Sequence, residues 1–141
     1  MRQDSESQLI GLLETLYNSR NPTRRWLHCT RRDWLVAKIA ECARERPGRA
    51  LEIGFGAGVY LRALANYYEE VVGTDLNQSQ VEYARLRIAD ITNLRVLIDD
   101  ITDSRLPAHS FDLVLCSEVL EHIGDTGGAI AGSRQSANHQ E

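Results

Sequence analysis

ALEIGFGAGVYLRALA, residues 50 to 65, runs an apolar segment straight into three alternating glycines, Gly54, Gly56 and Gly58, and then into a helical pattern carrying Leu61, Leu64 and Ala65. A strand that stops in glycines and restarts as a helix lets backbone pass close under a ligand with no Cβ in the way. The loop also presents the first amides of a helix, which attract anions or polar termini. Taken alone, Gly-x-Gly-x-Gly also fits a tight strand-to-helix turn with no ligand. The surrounding sequence has to decide between the two.

Outward from this loop the chain alternates. Arg49–Ile53, Glu70–Asp75, Leu94–Ile98 and Phe111–Cys116 read as four short strands, with helices predicted over 58 to about 66 and over 78–89. Val119–Ile123 reads as the start of a further helix. Strands and helices at this spacing imply right-handed crossovers and a parallel sheet, so the fold class is α/β. Before the first strand, Ser5-Glu6-Ser7-Gln8 has the form of a capping box ahead of Leu9, Leu12, Leu13, Leu16 and Tyr17. Asn21-Pro22 is read as ending that helix. A second helix is predicted from near Thr30, with an apolar face of Trp34, Leu35, Ile39 and Cys42, closed by Pro47-Gly48. The expected organisation is an N-terminal helical segment over 1–48, a ligand-binding domain over 49–123, and a disordered tail over 124–141, where Ile130 is the one β-branched apolar residue.

The 141 residues suffice for one core, and 43% hydrophobic with 26% charged residues is the balance of a globular chain. No run approaches a membrane span, and the N-terminus lacks the apolar stretch of a signal peptide, which places the protein in the cytoplasm. Residues 1–50 hold ten Lys/Arg against six Asp/Glu, a charge of +4; residues 51–141 hold six against fourteen, a charge of -8. A glycine loop in an acidic half argues against a nucleic-acid surface. Cys29, Cys42 and Cys116 have neither an even count nor CxxC spacing, so they read as reduced, buried thiols, and no metal site is expected.

Acids punctuate the predicted strand ends. Asp75 closes the second strand 21 residues after Gly54, where a carboxylate accepts from both hydroxyls of a ribose. The dinucleotide fingerprint Gly-x-Gly-x-x-Gly fails in both registers, since the sixth position is Val59 or Leu61. Glu52 adds a carboxylate beneath the loop, which repels a pyrophosphate and suits an ammonium or a sulfonium. Asp99-Asp100 follows the third strand, with Ile101 beside it; alone this pair is an ordinary capped turn, but after the first two strand ends it forms a third wall of one crevice. In FDLVLCSEVLEHI (111–123), Phe111-Asp112 reads as structural, Ser117 and Glu118 fall at the same edge, and His122 is the one weak candidate for a catalytic side chain, more commonly a surface residue.

Together the four blocks LEIGFGAG, VVGTDLN, DDITDSRLP and FDLVLCSEVLEHI resemble class I S-adenosylmethionine-dependent methyltransferases, particularly the small-molecule type related to quinone biosynthesis, over residues 49–123. The resemblance implies a Rossmann-like sheet of order 3-2-1-4, S-adenosyl-L-methionine as cofactor, and methyl transfer to a small-molecule acceptor. It implies Glu52, Gly54, Gly56 and Gly58 around the methionine part, Asp75 on the ribose hydroxyls with Leu76 against the adenine, Asp100 on the adenine amine with Ile101 beside it, and the Ser117 carbonyl near the amino group. It departs from the family in length: the usual sheet has seven strands, and the C-terminal half is missing here. That implies an apolar fourth-strand edge open to self-association or a partner chain. The alternatives are a non-catalytic or partner-dependent cofactor-binding half domain and, disfavoured by Val59 and Glu52, an NAD-dependent oxidoreductase. Arg24, Arg25, Arg31 and Arg32 read as a solvated helix face or as a lid that draws an anionic acceptor.

Overall fold

Burial on both faces selects the strands. A computed structural model describes residues 19–117 and 126–137. Arg49–Ile53 (β1) and Glu70–Asp75 (β2) are almost continuously buried, the pattern of interior strands in a parallel sheet covered on both sides. Leu94–Ile98 (β3) and Leu113–Leu115 (β4) flank them, giving four parallel strands in the order β3-β2-β1-β4. The register pairs Glu52 with Gly73 on β2 and with Leu115 on β4, and Asp75 with Ile98. The expected sheet order holds. Strand four is shorter than expected, because Phe111 leaves β1 and instead bridges Ala137.

Pro22–Glu45 (α1), Leu61–Tyr67 (α2) and Gln78–Arg87 (α3) supply the helices that precede the third strand. Ile39 and Ala43 of α1, Leu61 and Leu64 of α2, and Val81 and Ala84 of α3 join Ala50, Val71 and Val96 in the larger core cluster. Leu51, Ile53, Val72, Ile101 and Phe111 form the smaller one. Alternate residues of β1 and β2 divide between the two clusters, as the two-residue period of a strand requires.

Two expectations about helices are corrected. Asn21-Pro22 begins the helix expected to start near Thr30, eight residues further on. The Asn21 Oδ1 accepts from the amides of Thr23 (3.0 Å) and Arg24 (3.2 Å), and Pro22 occupies the first turn, where its missing N–H costs nothing. The face that α1 buries carries Ile39 and Ala43, while Trp34 is 60% exposed and Cys42 is exposed too. Cys29 and Cys116 are half-buried, so the cysteines are not core residues.

The second correction concerns the predicted tail. Residues Thr126–Ser136 form a helix (α4) that packs on the 3-10 turn Ile101–Asp103. Small residues make this contact: a Cβ built at Gly132 would collide with the backbone carbonyl of Ile101. The helix end is tied down where the Ser136 carbonyl accepts from the amides of Ser110 and Phe111, both at 3.1 Å, and Ser136 itself is buried. The same contact covers one side of the chain just before β4. The predicted helices over Leu9–Tyr17 and Val119–Ile123 lie outside the described residues.

Gly132→Ala forces α4 off the turn at Ile101 and destabilises the fold by more than about 1 kcal/mol. Amide exchange checks this: protection of the Ser110 and Phe111 amides falls, while protection in β1 and β2 changes little.

Candidate functional site

The glycine loop is held from below by main chain and from the side by a carboxylate. The Thr74 carbonyl accepts from Gly54 N (2.6 Å) and Phe55 N (3.3 Å), and the Phe55 carbonyl accepts from Gly58 N at 2.7 Å. Gly54, Gly56 and Gly58 have φ of 62°, 51° and 70°, the left-handed region that side chains disfavour. A Cβ at Gly56 would meet nothing nearer than Gln80 Oε1 at 3.8 Å, so the space over the loop is open.

Asp75 ends β2 and spans two elements. Its Oδ2 accepts from Gly56 N at 3.0 Å and its Oδ1 from Asn77 N at 2.8 Å. The next turn follows directly, since Asn77 Oδ1 caps α3 through Ser79 N (3.0 Å) and Gln80 N (3.4 Å). Each Asp75 oxygen retains a second lone pair for a ligand. Sequence reasoning missed the capping Asn77, although an Asn directly before a helical pattern is the signal that finds it.

Glu52 is 1% exposed and its Oε2 has no hydrogen-bond partner among the described residues. Burial, reinforced by the Asp75 charge, pushes its carboxyl up to about 8, so it carries a proton at neutral pH. A buried carboxyl oxygen without a donor or a cation is costly to retain for packing alone. An arriving cation would supply what it lacks.

Asp100 and Ile101 follow β3 as expected. Asp100 Oδ1 accepts from Thr102 N (2.9 Å) and Thr102 Oγ1 (2.7 Å), and those bonds hold its carboxyl below the usual carboxylate range. The capped turn and the strand-end acid are therefore the same residue. Asp100 stays exposed while Ile101 is buried. The β2 and β3 ends are joined by Asp99 N donating to the Asp75 carbonyl at 3.4 Å. Leu76 is 65% exposed, an apolar side chain standing free beside Asp75.

After β4, Ser117 is half-buried and its carbonyl is already engaged: Arg31 Nη2 of α1 donates to it at 2.9 Å. This basic side chain from the N-terminal helix reaches the carboxyl edge of the sheet, whereas Trp26 is 66% exposed. Phe111-Asp112 is structural, since Phe111 is fully buried and Asp112 Oδ2 accepts from Arg49 N at 2.8 Å. His122 lies outside the described residues. The sheet ends therefore bring together the glycine loop, Glu52, Asp75 and, one strand further, Asp100, with Arg31 closing over Ser117.

A family model described as a methyltransferase domain matches residues 51–136. The ubiquinone biosynthesis O-methyltransferase of Alkalilimnicola ehrlichii is 30% identical over 97 residues, which cover 65% of this chain and 38% of that protein. That of Mesorhizobium japonicum is 33% identical over 102 residues, covering 67% and 40%. The chain thus spans about two fifths of the length of these curated relatives. Among solved structures, the YcgJ protein of Bacillus subtilis superposes with a TM-score of 0.68 at 27% identity, covering 77% of this chain and 46% of that one. A SAM-dependent methyltransferase from Aquifex aeolicus, at 17% identity and a TM-score of 0.64 over 76% and 58% of the two chains, shares the fold. The β3-β2-β1-β4 sheet, the glycine loop held by Asp75 and a family match over most of the described sheet lead to one conclusion: this chain belongs to the methyltransferase domain family.

Proposed function

We propose that the protein binds S-adenosyl-L-methionine at the carboxyl edge of its sheet and transfers the methyl group to a small-molecule acceptor. The observation that carries this reading is Glu52, a buried carboxyl whose Oε2 has no hydrogen-bond partner among the described residues, on the strand that runs into an open glycine loop. The residues fit that cofactor: a cationic ligand answers Glu52, and an open Gly56 leaves room for it. S-adenosylmethionine supplies, when bound, a methyl group activated on a sulfonium sulfur.

The chain's own part is binding and positioning. Asp75, oriented by its two backbone amides, offers its remaining lone pairs to a pair of ribose hydroxyls. Leu76 and Ile101 give apolar sides to a flat base, and Asp100 accepts from its exocyclic amine. Gly54 and Gly58 set the loop's path past the methionine part. The Ser117 carbonyl shares its second lone pair with the amino group while Arg31 holds the first. Methyl transfer by direct displacement depends mostly on aligning acceptor and methyl carbon and on excluding water, so a general base is not required of the chain. The acidic half around the crevice favours a small acceptor over a nucleic acid. Among the described residues no helix is long and apolar enough to cross a membrane. With its three free cysteines, a reducing cytoplasmic setting suits the protein. Among the described residues β4 is an edge strand beyond Phe111, and it offers its backbone to a second copy of the chain.

Calorimetric titration with S-adenosylhomocysteine is expected to give saturable binding; absence of heat and of any thermal shift overturns the reading. Asp75→Ala removes the acceptors of two backbone amides, Gly56 N and Asn77 N, and the ribose contact, and weakens that binding by at least about thirtyfold.

Glu52→Gln is expected to separate stability from binding. The folded chain holds the Glu52 proton more tightly than the unfolded chain does, so stability is lost as pH rises from the ordinary glutamate value through about 8. The variant removes that loss: it melts above the parent near pH 8, by an amount corresponding to roughly 4 kcal/mol at most, and close to it below about pH 5. Its affinity for S-adenosylhomocysteine falls little, because that ligand lacks the sulfonium, whereas affinity for S-adenosylmethionine falls by about tenfold.

Sedimentation velocity checks the β4 edge. A dimer that grows in over a roughly hundredfold rise in concentration is expected, and a monomer throughout overturns it.

A further inference from the structure

Three arginines from three different helices line one cavity that shares only the glycine loop with the cofactor reading. Arg32 of α1, Arg62 of α2 and Arg87 of α3 line a cavity of about 390 Å³, floored by the buried side chains of Leu61, Ala84 and Ile88. None of Glu52, Asp75, Leu76, Asp100, Ile101 or Ser117 lines it, although Gly56 and Gly58 of the loop do.

The cations are differently anchored. Arg62 Nη2 donates to the Arg87 carbonyl at 2.7 Å and to Asp90 Oδ1 at 3.1 Å, with Nη1 on Asp90 Oδ2 at 3.2 Å. It is thereby fixed against the C-terminal end of α3. Arg32 shares Asp33 Oδ1 through Nε (2.9 Å) and Nη2 (2.7 Å). Arg87 Nη1 donates to Tyr83 Oη at 3.1 Å and its guanidinium stands 5.7 Å from that ring's centroid. Arg32 pairs with Asp33 and Arg62 with Asp90, while Arg87 donates to the neutral Tyr83 hydroxyl. An apolar floor, one aromatic ring and converging guanidiniums together match an oxyanion attached to a short apolar body.

We propose that this cavity is a second ligand site, which takes a small organic oxyanion, a phosphomonoester or a carboxylate on a ring or short chain, independently of the crevice at the strand ends. The oxyanion meets the Arg87 and Arg32 guanidiniums while the apolar body lies on Leu61 and Ile88 beside the Tyr83 ring.

The test uses the full chain with phenyl phosphate, benzoate and uncharged benzyl alcohol, followed by amide shifts. Saturable shifts at Gly58, Ala84 and Ile88 are expected from at least one anion and not from benzyl alcohol, and the tighter anion identifies the head group. Arg87→Gln, an exposed change at the last residue of α3, weakens that binding at least about fivefold, and Arg87→Lys recovers part of it. Glu52→Gln leaves it unchanged, which separates this site from the cofactor reading. No saturation by either anion up to about 10 mM, equal binding of benzyl alcohol, or indifference to Arg87→Gln overturns the proposal.

Discussion

One carboxylate ties the strand ends into a site. Asp75 accepts from Gly56 N on one oxygen and from Asn77 N on the other. Through the first bond it fixes the height of the glycine loop over the sheet; through the second it sets the turn that launches α3. A loop of glycines is otherwise the most entropically expensive backbone to order. The charged hydrogen bond to Gly56 and the two donations to the Thr74 carbonyl meet that cost locally. The same residue also raises the energy of a neighbouring anion, since its charge is one reason Glu52 keeps its proton. Organisation of the loop and discomfort of the buried acid therefore arise from the same side chain.

That coupling explains the distribution of polarity in the core. β1 is buried residue after residue, and Glu52 takes a place that a valine would fill at no cost in desolvation. Under the proposed function, a position so placed weakens the ligand-free fold and gains when a cationic ligand meets it. Stability forgone at a binding site is a common signature of function.

The strands were legible because interior parallel strands need unbroken apolar runs, and RALEI, EVVGTD and LRVLI have them or nearly so. The acids were legible from their spacing, since each falls at the carboxyl end of a strand in a fold whose crevice lies there. Helix ends were less so: Pro22 opens the long helix from its first turn, whereas the start was expected near Thr30. The helix at Thr126–Ser136 was missed because its residues are small and weakly apolar, and what orders it is the fit of Gly132 under the Ile101 carbonyl, a contact between segments far apart in the chain. Arg31 on the Ser117 carbonyl and the meeting of Arg32, Arg62 and Arg87 belong to the same class. No local pattern announces residues that converge only after the sheet has formed.

The long first helix has an optical consequence. The chain holds two tryptophans, Trp26 and Trp34, and both stand mostly in solvent on α1. Tryptophan emission, excited apart from the five tyrosines, thus originates from exposed positions on one helix. Its wavelength reports what approaches those positions, while melting of the β-sheet core leaves both indoles in water before and after the transition. Indoles at the periphery leave the tryptophan signal nearly silent about the interior and attentive to whatever docks against this helix.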